Sequence, residues 1–155
     1  EDLLDAFYRS WQATEQSVRR KRIFVSISDN KKPRLLEQLK KLDELSWEIY
    51  TTEGTHDFLV KNGISANCVF KASEGLEPNA KTLIINHEID LIINIPQGNP
   101  SNTSITDGFT LRRLAIDHHI PLITNLQIAQ IMLQSLARLH GKTLPVKPWA
   151  RFVKH

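Results

Sequence analysis

The residues best suited to chemistry in this chain are hydroxyls, amides and two lysines, and they recur where short apolar runs end. The richest group is Thr52-Glu53-Gly54-Thr55, in which the glycine permits a tight turn from strand to helix and Thr55 stands where a helix N-cap is wanted. Such a turn aims unpaired backbone N–H groups and the positive end of a helix at one point, which accommodates an anion. Taken alone, Thr55 is a helix cap and each lysine a surface charge. Lys32 and Lys71, each placed just beyond a strand, change that balance if they converge on the turn. Asn94 and Gln97 follow a fourth apolar run, and Thr124 and Asn125 a fifth, adding amides for a base or an acyl group. The candidate binding set is therefore Lys32, Thr52, Gly54, Thr55, Lys71, Asn94, Gln97, Thr124 and Asn125. It contains no proposed catalytic residue and no metal ligand.

Other features carry less. His118-His119 closes a predicted helix, where imidazoles cap carbonyls, and adjacent helical residues do not share a face, so a metal pair is not expected. Arg112-Arg113 reads as a source of structural ion pairs, while Asp107 is either an N-cap or a group pointing into the site. Cys68 is the only cysteine, which excludes an internal disulfide and a thiolate metal cage, and its apolar neighbours suggest a buried small hydrophobe. No Gly-rich phosphate loop with Lys-Ser/Thr and no nucleophile elbow occurs, so nucleotide hydrolysis and acyl transfer by those routes lack support.

The elements that must position these groups follow from periodicity. Ile23–Ser28, Trp47–Thr51, Cys68–Phe70, Leu91–Ile95 and Pro121–Thr124 are short and largely apolar or β-branched, as buried strands are. Helical spacing separates them: Leu35, Leu36, Leu39 and Leu42 after Pro33; Thr55–Lys61, closed by Asn62-Gly63; Lys81–His87; Phe109–His118; and a last helix opened by Asn125. The run Leu91–Ile95 is the most continuously apolar and is expected at the centre of the sheet. This alternation predicts an α/β three-layer sandwich with a mostly parallel sheet of about five strands. Ligands of such sheets bind beyond the carboxyl ends of the strands, where the connection order reverses.

Two segments flank this unit. Residues 1–21 are read as an amphipathic helix, with Leu3, Leu4, Phe7, Tyr8 and Trp11 on one face, plus the basic linker Arg19-Arg20-Lys21-Arg22. That stripe docks either on a neighbouring domain or back on its own. Residues 22–155 form the main domain, its tail anchored by Trp149 and Phe152. With 155 residues, 41% hydrophobic and 24% charged, the chain suits one core. No apolar run approaches the ~20 residues of a membrane helix. A formal charge of +3 with a single basic cluster gives little footing for nucleic acid. The acidic, amphipathic start does not read as a secretory signal, so a cytoplasmic location is expected.

Over about residues 22–140 the chain resembles the methylglyoxal-synthase-like family. The resemblance rests on IFVSISDNKK, TTEGTHDFL, VFKASEG, DLIINIP, TLRRLAIDHHIPLITN and LQIAQIM, in that order. Within the family it is most similar to the C-terminal allosteric domain of the carbamoyl phosphate synthetase large subunit, and DAFYRSWQA resembles the joint to the preceding ATP-grasp half. The resemblance implies an effector domain without cofactor of its own. The parent ligase would use ATP and magnesium, feed pyrimidine and arginine biosynthesis, and meet a glutaminase small subunit indirectly. Bacterial members bind nucleotide monophosphates through a threonine turn and lysines matching Lys32 and Lys71, which implies UMP, IMP or a similar anion. Asn94-Ile95-Pro96-Gln97 instead resembles the segment of the animal urea-cycle enzyme, whose effector is N-acetylglutamate, although a tryptophan that enzyme carries near Lys71 is absent. The rival reading is a lyase acting on dihydroxyacetone phosphate. The Asp-Pro-Leu motif and His-Asp pair of methylglyoxal synthase are missing, and with them an evident catalytic base.

Overall fold

The computed structural model describes residues 2–14, 18–96 and 102–142, with the side chains of residues 102–106 left out. Helix α1 (Leu3–Gln12) leads into strand β1 (Arg22–Ile27), a 3-10 helix over Asp29–Leu35 and helix α2 (Leu36–Glu44). Then come β2 (Glu48–Thr51), α3 (Glu53–Lys61), β3 (Asn67–Cys68), α4 (Ala80–Ile85), β4 (Leu91–Ile95), α5 (Asn102–Asp117), β5 (Leu122–Ile123) and α6 (Leu126–Leu139). The strands form one parallel sheet in the order β3-β2-β1-β4-β5. Three-layer α/β architecture is thus observed.

The central strand is β1, not the more apolar β4, because the chain winds outward from β1 through β2 to β3 and then crosses back to lay β4 on its other side. The reversal between β1 and β4 is a topological switch point, where carboxyl-end connections diverge and leave a crevice.

Side-chain alternation sorts the core into two layers. Ile23, Val25 and Ile27 of β1 and Leu91, Ile93 and Ile95 of β4 face one cluster with Leu39, Leu42, Leu133 and Leu136. Phe24 and Ile92 face the other, with Leu83, Ile84, Leu111 and Ala115. Of the two openings left for the N-terminal stripe, the chain takes the nearer: α1 lies on α6, with Tyr8 buried in the first core layer and Leu4, Phe7 and Trp11 packed against it. Burying one such aromatic stabilises by roughly 1.5–3 kcal/mol. An ion pair between Arg138 and Asp2 closes the contact.

Three residues of the basic cluster, Arg20, Lys21 and Arg22, bond to the chain. Arg20 donates from its guanidinium to the His87 carbonyl (2.5 Å), Lys21 Nζ reaches the Leu45 carbonyl (3.2 Å), and Arg22 pairs with Glu48 at 3.0 Å. These groups fasten the amino ends of the strands. Cys68 is exposed rather than buried, because β3 is a two-residue edge strand whose outward positions meet solvent. Its thiol is nonetheless pushed up in pKa, by partial desolvation first and then by Glu53, Asp57 and Glu74, which makes it a poor nucleophile. Trp149 and Phe152 lie outside the described residues.

Candidate functional site

At the carboxyl ends of β1 and β4 lies a cavity of about 240 Å³, lined from the strand ends, the 3-10 helix, the start of α3, the loop after β3 and one turn of α5. Its floor follows from strand alternation. Beyond the apolar pair Phe24 and Ile92, the same face of β1 and β4 turns polar at Ser26 and Asn94, which are register partners. Alternate residues of two apolar strands becoming polar at one end is a signal visible in sequence, yet Ser26 escapes a reading that looks only beyond strand ends.

Thr52, Gly54 and Thr55 bring the amino end of α3 to the cavity. Thr52, not Thr55, is the N-cap, and its hydroxyl makes no capping bond. Thr55 sits inside the first turn with its hydroxyl oxygen 3.3 Å from the Ile27 N–H, tying helix to strand. Because α3 begins at Glu53, the glycine lies within the helix without the left-handed φ of a forced turn; a Cβ there would stand 3.5 Å from Lys32 Nζ. That is ordinary van der Waals contact, so neither backbone conformation nor lack of space demands glycine at this position.

Lys32 is almost wholly buried, unusual for a lysine and tolerable only when paired. Its Nζ donates to Asp29 Oδ1 and to the Gly54 carbonyl, both at 2.5 Å. Lys71 comes from the loop after β3, lines the cavity and, among the described residues, makes no ion pair through its ammonium. The backbone around it is tethered: its own N–H donates to Glu74 Oε2 (2.8 Å), and the Ser73 N–H donates to Asp107 Oδ1 (3.1 Å). Asp107 therefore lines the cavity from within α5 and pins the Lys71 loop, rather than capping its helix. One residue on, Gly108 places α5 beside Asn94: a Cβ at Gly108 would make ordinary contact, 3.6 Å from the Asn94 amide nitrogen.

Six of the nine sequence-derived candidates therefore converge: Lys32, Thr52, Gly54, Thr55, Lys71 and Asn94. Thr124 and Asn125 do not reach the cavity. They follow the edge strand β5, both are exposed, and the Asn125 carboxamide is used as N-cap of α6, accepting the Ile128 N–H at 3.0 Å. Gln97 lies outside the described residues.

Two carboxylates also line the cavity: Asp107, for which the sequence left a place in the site open, and Asp29, which it did not single out. The Lys32 ammonium holds the Asp29 carboxyl below the ordinary carboxylate range, first by its hydrogen bond and then by its charge, so Asp29 is a weak base. Among the described residues no cluster of three potential metal ligands occurs, and Arg113 pairs with Asp117 as a structural ion pair at 2.9 Å.

At the switch point of a parallel α/β sheet, two lysines, two carboxylates and the amino end of α3 thus surround one cavity, an arrangement whose lysines and helix N–H groups can meet an anion. The profile of the MGS-like domain matches residues 34–124, and the chain belongs to that family. It is 35% identical to the C-terminal section of the carbamoyl phosphate synthase large chain of Aquifex aeolicus, over 80% of this chain and 23% of that one. It is 37% identical to the carbamoyl phosphate synthase large chain of Archaeoglobus fulgidus, over 81% of this chain and 11% of that one. With multifunctional protein URA2 of Saccharomyces cerevisiae the identity is 32%, over 86% of this chain and 6% of that protein. The chain thus spans about a quarter or less of these relatives. Methylglyoxal synthase from Elizabethkingia anophelis shares the fold, with a TM-score of 0.55, 18% identity, and coverage of 74% of this chain and 77% of that one. Among the described residues no helix is long and apolar enough to cross a membrane.

Proposed function

We propose that this domain binds a small phosphate-bearing effector, of the nucleotide monophosphate kind such as UMP or IMP, and regulates a carbamoyl phosphate synthase of which it is one part. The observation that carries this reading is the convergence of Lys32, Lys71 and the amino end of α3 on one cavity. Two ammonium groups and a set of helix N–H groups suit the several oxygens of a phosphate better than a single carboxylate. The cavity volume, about 240 Å³ and below the about 300–1,000 Å³ of drug-sized sites, suits a phosphate and its first substituent, with the rest of the effector directed outward. The parent enzyme is an ATP- and magnesium-dependent cytoplasmic ligase whose ATP-grasp domains precede this one and whose small subunit supplies ammonia. Regulation follows if the effector binds two states of that enzyme unequally.

Calorimetric titration of this chain with UMP, IMP, inorganic phosphate and N-acetylglutamate tests the proposal. Binding of the phosphate-bearing compounds, in competition with inorganic phosphate and weakening with salt, is expected. Tight N-acetylglutamate binding without any response to UMP or IMP at millimolar concentration would overturn it. A second reading, a lyase acting on dihydroxyacetone phosphate, draws on the two carboxylates in the cavity. Turnover to methylglyoxal above a buffer blank, retained on repurification, would favour it.

A further inference from the structure

Taking the cavity as an anion site, as proposed above, we infer that Asp29 is a displaceable internal counter-ion. Its carboxylate occupies the seat at Lys32 that an entering phosphate must take, and so sets which anions the site accepts. The pair is lopsided. The Lys32 side chain is 7% exposed and that of Asp29 84% exposed, although their charged atoms are 2.5 Å apart. The 3-10 helix causes this, since residues three apart eclipse one another there, so Asp29 at its first position overlies Lys32 one turn later. A buried ammonium cannot be left unpaired without a large desolvation cost, whereas a carboxylate at the surface is rehydrated when released. The ion pair therefore persists until another anion replaces the carboxylate, and the replaced group swings into water.

The charges lining the cavity support displacement over simple addition. Lys32 and Lys71 are balanced by Asp29 and Asp107, so an anion entering without rearrangement meets a neutral lining. Asp107 is held by the Ser73 N–H and fixes the loop bearing Lys71, so it cannot leave without loosening the site. Among the described residues the Asp29 carboxylate is held by Lys32 alone, and its release leaves two ammonium groups facing one carboxylate. A monocarboxylate would exchange like for like at Lys32 and gain little. A phosphate dianion gains the second charge and reaches the α3 N–H groups as well. Asp29 thereby makes the site selective for phosphate over carboxylate.

The test is titration of the full chain with inorganic phosphate and, separately, acetate at constant ionic strength, followed by 1H–15N shifts, for wild type, Asp29→Asn, Asp29→Ala, Asp107→Asn and Lys71→Ala. Thermal melts report folding: both Asp29 variants leave the buried Lys32 ammonium without its counter-ion, so they are expected to melt below wild type in the absence of phosphate and to recover when phosphate binds. Asp29→Asn and Asp29→Ala should tighten phosphate roughly tenfold and narrow the preference for phosphate over acetate. Asp107→Asn should gain clearly less. Unchanged or weaker phosphate binding in the Asp29 variants, with Lys71→Ala still impaired, would overturn the counter-ion role and leave the anion site standing. Equal gains from Asp29→Asn and Asp107→Asn would also overturn it, since any lost negative charge would then serve. Absence of phosphate binding in every form would overturn the anion site and this inference with it.

Discussion

The two ends of the sheet differ in a way that cavity size alone conceals. At the amino end lies a larger cavity, about 580 Å³, lined by Arg20, Asp90, His87, His118 and His119 among others. Its polar groups are spent on the chain itself. Asp90 accepts the Arg20 and Arg22 N–H groups at 2.6 and 3.4 Å, Arg20 caps the carbonyl of His87, and the His87 and His118 rings pack edge to face at 5.3 Å. This is where α4 and α5 end, so carbonyls and the negative ends of helix dipoles face the space. At the carboxyl end helices begin, N–H groups face inward, and Lys71 carries a charge that makes no ion pair with any described residue. Helix polarity and uncommitted charge favour the smaller cavity for the proposed anion.

The comparison can be broken most severely at Lys32. Lys32→Ala removes a buried ammonium and leaves the Gly54 carbonyl without its partner, so phosphate binding should be lost, and stability should fall by about 1–3 kcal/mol. Retained phosphate affinity in a calorimetric titration would place the site elsewhere. Lys71→Ala sharpens the contrast, because the side chain is exposed. Affinity should drop by roughly 1.5–3 kcal/mol, as for a charge-assisted bond, at unchanged melting temperature.

At the amino end the expected effects reverse. Arg20→Ala should cost about 1 kcal/mol of stability in urea unfolding through its lost bond to His87, with phosphate affinity at the other end unaltered. Weakened phosphate binding in Arg20→Ala would mean the two ends are coupled. Thr55→Ala, by removing the hydroxyl that meets the Ile27 N–H, should cost about 1 kcal/mol of stability and change affinity less than Lys71→Ala does.

The smallest effect concerns pH. His140 packs against Trp47 at 5.0 Å, and burial, then the Lys21 charge, hold its pKa below the ordinary 6.5. The unfolded chain therefore takes up a proton before the folded one. The contribution of His140 to stability is complete above pH 6.5 and declines as pH falls through that value toward the folded-state pKa. Urea midpoints should fall from pH 7.5 to pH 5.5, and His140→Phe should flatten that slope. An unchanged slope would assign the pH dependence to other groups.

Much of this was legible in the residues. Leu91–Ile95 is a strand with the bounds its apolar run suggests, Asn62-Gly63 closes α3 with Gly63 at φ 74°, and Asn125 opens α6. Strands, helix stops and caps depend on local side-chain chemistry, which neighbours in sequence supply. Lys32 and the Thr52–Thr55 turn were recognisable because the strand-end rule converts a local pattern into a place. Which threonine packs its hydroxyl against β1 and which strand is central were not, since each depends on a partner twenty or more residues away.

Residue types and periodicity by themselves determined the alternating α/β plan and the residues that could meet an anion, because burial and capping act over a few positions. Only the tertiary structure decided which candidates share a cavity. Crossing from β3 back to β4 opens the switch point beside β1, gathers Lys32, Lys71 and Asn94 there, and leaves Thr124 and Asn125 beyond the edge strand. It also put two carboxylates among the lysines, since the 3-10 helix and α5 set their side chains by packing rather than by sequence neighbours.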